Sequence, residues 1–278
     1  MTAVSTRASR RRLSPRRRLL FAVVAAVLVM TAGVVGFSAA RQDGPSSGGP
    51  GVRQDKPGPV LLVPGYGGAA AGLDKLAIRL RAAGRQVSVL SLPGDGTGDL
   101  NAQADVLDTA VRQAMAGGAQ SVDVVGYSAG GVVARIWARD HGGAARARRI
   151  VTLGSPHHGT DLAAVAGLLV PGSCPRACLQ LEPGSNLITG LNRADETPDG
   201  PQWVSIWTSK DLVVSPPESA RLVGARNVVV QQICPGRAVS HGQLPTDPVV
   251  DALVLRALDT KPFVTPTSKD CAALSSGP

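Results

Sequence analysis

Aromatic side chains are scarce in this chain: 3% of 278 residues, with three Trp, three Phe and two Tyr, beside only four His. Nucleic-acid surfaces combine such rings with a basic stripe, so their shortage argues against that partner. Acidic residues are absent before Asp43, whereas Arg fills positions 7, 10, 11, 12, 16, 17, 18 and 41. Eight of the 29 Lys and Arg thus precede Asp43, leaving 21 against all 20 Asp and Glu. Of the net charge of +9, the N-terminus therefore supplies eight and the rest of the chain one. Glycine is abundant, yet Gly65, Gly67, Gly68 and Gly72 miss the Gly-x-Gly-x-x-Gly spacing that cradles a dinucleotide, so no nucleotide cofactor is expected. The four Cys include the close pair Cys174 and Cys178, which has neither a second pair nor a nearby His. No metal is expected there. No internal repeat is present.

Seven Arg lead into an uncharged, mostly apolar stretch from Leu19 to Ala40, which closes on the small residues Ser38, Ala39 and Ala40. A basic region, an apolar region and small residues read as an export signal. At 22 residues the stretch also approaches the roughly 20 that span a bilayer, so an uncleaved anchor with its Arg inside is the other reading. Arg16-Arg17-Arg18-Leu19-Leu20 hints weakly at twin-arginine export. Every variant places the rest of the chain outside the membrane, secreted or held at its outer face. Residues 1–40 are therefore the export signal or membrane anchor, and 41–58, rich in Gly, Pro and Ser, a flexible linker. Residues 59–278, in a chain 44% hydrophobic, suffice for one globular domain. In an exported chain, Cys174, Cys178, Cys234 and Cys271 suggest two disulfides, with three pairings open. Cys174 and Cys178 are close enough to join each other, which leaves Cys234 for Cys271.

Short apolar runs alternate with helical patterns along this domain. Val60–Val63, Val87–Leu90, Val122–Val125, Ile150–Leu153, Trp203–Thr208 and Val228–Gln231 read as strands. Leu73, Leu76, Ala77 and Leu80 fall on one helical face. Asp99 is placed to cap a helix bearing Leu100, Ala104, Leu107 and Val111. Val249, Leu253 and Ala257 mark a last helix. Runs buried on both faces and separated by helices mean a doubly wound α/β fold with a mostly parallel sheet. Its functional site lies beyond the C-terminal strand ends.

Gly126-Tyr127-Ser128-Ala129-Gly130 sits between the strand Val122–Val125 and the helical pattern Gly131–Trp137. Gly-x-Ser-x-Gly in that context is a nucleophile elbow, with Ser at the apex of a strained turn. A Ser hydroxyl needs a base, and the partners follow in the order Ser, acid, His. His241, in a loop after the last strand, fits the base. His141 sits at a helix C-terminus as a dipole partner, and His157 and His158, just past a strand, could line the cleft. Asp211 follows the strand Trp203–Thr208 and fits the acid; Glu218 is the weaker alternative, and Asp195 and Asp199 read as turn residues. The oxyanion donors are the backbone N–H groups of Ala129, which comes with the elbow, and Tyr66, in Pro64-Gly65-Tyr66-Gly67-Gly68 after the first strand.

Val-Pro-Gly-Tyr-Gly-Gly, Val-Val-Gly-Tyr-Ser-Ala-Gly-Gly, Val-Thr-Leu-Gly-Ser-Pro-His-His-Gly-Thr and Ser-Lys-Asp-Leu-Val-Val together resemble the small secreted bacterial lipases of the class 2 (lidless lipase) family. Gly224-Ala225-Arg226-Asn227-Val228, with His241 downstream, resembles that family's final strand and His loop. The likeness covers residues 58–258. It implies an α/β-hydrolase fold and a carboxylic ester hydrolase that acts on lipid esters through an acyl-enzyme. It also implies Ser128, Asp211 and His241 as triad, Tyr66 and Ala129 as donors, no cofactor, and a monomer. An acyltransferase or phospholipid deacylase would use the same triad. Two departures stand out: Pro64-Gly65 replaces the family's His-Gly, and Ser155 to Pro201 is longer than in the smallest members. That segment carries apolar residues (Leu162, Ala163, Val165, Ala166, Leu168, Leu169, Val170, then Leu187, Ile188, Leu191) that suit either an acyl-binding wall or the core.

Overall fold

The apolar runs become six strands in one wholly parallel sheet. A computed structural model describes residues 52–164 and 174–276. The export or anchor segment and most of the linker lie outside the described residues. So do Val165, Ala166, Leu168, Leu169 and Val170.

The strands are β1 (Val60–Val63), β2 (Val87–Val89), β3 (Val122–Tyr127), β4 (Ala147–Leu153), β5 (Gln202–Trp207) and β6 (Arg226–Val229). Their spatial order is β2-β1-β3-β4-β5-β6, every neighbouring pair parallel. Alternate residues feed two cores, as the period of two along a strand requires. Leu61, Val63, Val122, Val124, Ile150 and Trp203 pack on one face, under α2 (Leu100–Ala116) and α3 (Ala129–Asp140). Val60, Leu62, Val125, Val151, Leu153, Val204, Ile206 and Val228 pack on the other, under α1 (Ala71–Ala82) and α7 (Pro248–Ala257). Between these helices come the short α4 (Arg176–Gln180), α5 (Asn186–Asn192) and α6 (Val230–Ile233), and α8 (Cys271–Ser275) follows. Strand order reverses between β1 and β3, so a crevice opens at their carboxyl ends, where the loop after Val63 meets the turn at Ser128.

Most strand boundaries shift by one to three residues from the sequence expectation, and those of β4 and β6 are the most informative. β4 starts at Ala147, three residues before Ile150, because Arg148 and Arg149 are fully buried. Their charge hides a strand that their backbone continues. Arg148 meets Asp123 on β3 with a two-pronged contact, Nε to Oδ1 at 3.0 Å and Nη2 to Oδ2 at 2.6 Å. Burial pulls the Arg149 guanidinium down to about 10. β6 stops at Val229 rather than Gln231, since the backbone turns helical at Val230. Asp99 caps α2 as its position suggests, accepting from the Asn101 N–H. Cys174 is bonded to Cys178 and Cys234 to Cys271, so neither close thiol is left for a metal.

Candidate active site

Strand β3 delivers Ser128 at its end, with φ 53° and ψ −126°. It is the one non-glycine residue with positive φ among the described residues. The flanking glycines explain how the turn closes. A Cβ on Gly126 would stand 2.5 Å from both the Gly130 carbonyl oxygen and the Gly131 Cα. One on Gly130 would overlap the carbonyl oxygens of Val63 and Pro64. No L side chain fits either place without moving backbone, so the elbow depends on both glycines.

The loops after β5 and β6 bring two more residues to Ser128. His241 opens a short 3-10 turn (His241–Thr246) and points Nε2 at Ser128 Oγ, 3.0 Å away. Its Nδ1 lies 2.7 Å from Asp211 Oδ2. The other carboxylate oxygen of Asp211 accepts the N–H groups of Val213 and Val214 at 2.9 and 2.8 Å, which fixes the carboxylate plane. All three side chains are buried. With Nδ1–H donating to the carboxylate, Nε2 is left as an acceptor facing the Ser128 hydroxyl. That is the arrangement in which a proton can leave Oγ.

The loop after β1 forms the opposite lip. A Cβ on Gly65 would come within 2.9 Å of Ser128 Cβ, so this loop lies directly against Ser128. Gly67 donates its N–H to the Gly96 carbonyl at 3.3 Å and Gly68 to Gly65 at 3.1 Å. Among the described residues the Tyr66 N–H has no such backbone acceptor, and Ala129 is the first residue of α3, where an N–H has no intrahelical partner. Ala129 adjoins Ser128 in the chain, and Tyr66 follows the Gly65 that lies against it.

Residues 58–173 match the family described as alpha/beta hydrolase fold. The chain has the α/β-hydrolase fold. Among solved structures it is similar to Aspergillus fumigatus lipase B, with a TM-score of 0.63 and 22% identity over 83% of this chain and 59% of that one. It is likewise similar to the mature form of Bacillus licheniformis lipase BlEst2, with a TM-score of 0.60 and 17% identity over 79% of this chain and 95% of that one. Its propeptide form gives 0.61 and 18%, over 78% and 54%. This chain therefore spans 59% of the Aspergillus protein's length, and at such identities the likeness is one of fold. No curated protein matches this sequence.

Within the α/β-hydrolase fold, the remaining sequence candidates lie elsewhere. Glu218 is exposed on a 3-10 turn (Pro217–Ala220), and Asp195 accepts the Thr197 N–H as a turn residue. His141 closes α3. His157, expected near the cleft, is fully buried instead, its Nε2 3.1 Å from Thr152 Oγ1, and burial holds it well below the usual imidazole range. His158 turns to Glu196 at 3.1 Å, and that bond raises it above the usual range.

Several residues around the site carry little or no signal in the sequence. Tyr127, the variable position of the elbow, packs its ring 5.2 Å from the His241 ring and donates its hydroxyl to the His241 carbonyl at 3.3 Å. Burial, then the Asp211 charge, pushes that phenol up to about 12, so it stays a donor. Gly154 lines the pair from another side: a Cβ there would lie 3.2 Å from Asp211 Oδ2 and 3.3 Å from His241 Nδ1. Behind the elbow, Arg135 of α3 donates to the carbonyls of Glu196, His157 and Leu191. A lone Arg inside the apolar stretch Val132–Trp137 is the one signal that could have found it.

Proposed function

We propose that the chain is an exported serine ester hydrolase, a lipase or esterase similar to the class 2 lipases, acting through an acyl-enzyme. The observation that carries this reading is the unbroken hydrogen-bond chain Ser128–His241–Asp211 on a strained elbow, with two backbone donors beside it. Support comes also from two of the proteins whose solved structures share the fold, which are lipases. Export is supported by the Arg-led apolar N-terminus and by two disulfides, which persist in oxidising surroundings.

His241 Nε2 takes the proton as Ser128 Oγ attacks the ester carbonyl. The carbonyl π electrons move to oxygen, and the N–H groups of Tyr66 and Ala129 receive the oxyanion. Asp211 holds the imidazole in the required tautomer and stabilises the imidazolium. Collapse of the intermediate expels the alcohol, which takes the proton from His241, and leaves an ester on Ser128. Water, deprotonated by the same imidazole, then releases the carboxylic acid. Labelling by a fluorophosphonate, followed by hydrolysis of p-nitrophenyl esters from two to sixteen carbons and of an emulsified triglyceride, tests this reading. A folded protein that neither labels nor hydrolyses any of them refutes it.

A further inference from the structure

Gln231, the second residue of α6, joins the two loops that carry the acid and the base. Its Oε1 accepts the Ser209 N–H at 2.9 Å, and its Nε2 donates to Thr208 Oγ1 at 2.8 Å and to the Arg237 carbonyl at 3.0 Å. Thr208 Oγ1, fully buried, passes the connection on by donating to the Val239 carbonyl at 2.7 Å. Thr208 and Ser209 lead into Asp211; Arg237 and Val239 lead into His241. The core around β5 and β6 contains Ile206, Val228, Val230 and Ile233, and the half-buried Gln231 lies outside that apolar cluster.

We propose that Gln231 is a positioning residue: through Thr208 it locks the Asp211 loop to the His241 loop and so sets the spacing of acid and base. The proposal rests on reading Ser128, His241 and Asp211 as one catalytic unit. Only a carboxamide of this length supplies the acceptor and both donors. Glu would keep the acceptor and lose both donors; Leu would lose all three. A misplacement of about 1 Å within a catalytic unit costs up to ~100-fold in rate. Because the clamp holds backbone of the acid and base loops and touches neither the nucleophile nor the oxyanion donors, its loss falls on kcat rather than on KM.

The test compares the parent with Gln231→Leu, Gln231→Glu and Thr208→Val, using p-nitrophenyl butyrate hydrolysis, fluorophosphonate labelling rate and melting temperature. We expect kcat and labelling rate to drop about 10- to 100-fold with KM within twofold, in proteins that still melt cooperatively. The ratio of Gln231→Glu to parent activity should rise as pH falls, since a protonated carboxyl regains one donor, while the Gln231→Leu ratio stays flat. A second readout needs no substrate: the low-field proton resonance of the His241–Asp211 hydrogen bond should broaden or shift in Gln231→Leu. Parent-like kcat and an unchanged resonance in a folded Gln231→Leu overturn the clamp, as does a loss confined to KM. If the parent itself lacks esterase activity, the functional reading falls, and the resonance alone judges the clamp.

Discussion

Ser128 is held at φ 53° by a β-strand on one side and a helix on the other, and backbone strain of this kind persists only where the surroundings over-determine it. Replacing it with Ala removes an oxygen and leaves the turn, so folding should survive while catalysis does not. Ser128→Ala should lose on the order of 10⁶ in kcat, as other triad nucleophiles do, with an unchanged melting temperature. Retention of more than a few per cent of parent activity in pure protein would falsify the nucleophile. Asp211→Asn keeps the size of the side chain but disturbs the tautomer of His241, and a loss near ~10⁴ is expected. Glu218, exposed and apart from His241, is the control. A Glu218→Gln variant more damaged than Asp211→Asn would show that the acid is misplaced. Tyr127→Phe keeps the ring against His241 and removes one hydrogen bond at 3.3 Å, so only a few-fold fall in kcat should follow.

The elements were legible in the sequence wherever burial on both faces gave an uninterrupted apolar run, as at Val60–Val63. They were illegible where a side chain of the wrong polarity was neutralised by a distant partner, as Arg148 is by Asp123. The site divides the same way. Ser128, Asp211 and His241 follow from a motif and a chain order, whereas Gln231 and Gly154 matter through contacts that no local spacing encodes. The segment after β4 was open between acyl wall and core; of its apolar residues, Ile188 and Leu191 on α5 are buried in the same apolar cluster as Trp137 and Trp203. Leu191→Ala should therefore lower stability by about 2–5 kcal/mol and leave the ester chain-length profile alone. A shifted profile with an intact melting temperature would restore the wall. The pair His158–Glu196 ties the loop after β4 to the segments before β5 and β6. Glu196 is pushed up by burial, but bonds from His158 and the Val223 N–H outweigh this and hold it below its usual value. His158, raised, stabilises fully below its unfolded value and loses this as pH climbs through its folded one. Glu196, lowered, stabilises fully above its unfolded value and loses this as pH falls through its folded one. The contribution is thus complete between about 4.5 and 6.5, the ordinary values of the two groups. Melting temperature measured against pH should show Glu196→Gln most destabilised in that window and closer to the parent at pH 9. Some loss should remain there, because Arg135 no longer has the Glu196 charge near it. A pH-independent difference would dismiss the ion pair.

On the scale of the whole molecule, the two disulfides do unequal work. Cys174–Cys178 closes a loop of sequence separation 4 inside one segment, while Cys234–Cys271 spans 37 and fastens the C-terminal α8 beside α6. In the chain-entropy picture a cross-link stabilises by restricting the unfolded chain, with a gain that grows as the logarithm of loop length. That gives about 2 kcal/mol for the short loop and about 4 kcal/mol for the long one. At ~2–4 °C per kcal/mol for a domain of this size, removing Cys234–Cys271 should lower the melting temperature by roughly 8–16 °C. Removing the other should lower it by half as much. The long bridge also lies seven positions from His241 in sequence, on the loop that Arg237 and Gln231 hold, and Arg237 itself is bound to Asp247 at 2.8 Å. Activity at 25 °C should nonetheless survive in a Cys234→Ser, Cys271→Ser double variant, since those hydrogen bonds remain. Scanning calorimetry of the two double-serine variants, with esterase activity measured below both transitions, separates the effects. Equal losses of melting temperature would refute the loop-length argument, and inactivity of a still-folded Cys234→Ser, Cys271→Ser protein would show that the bridge itself holds the His241 loop in place.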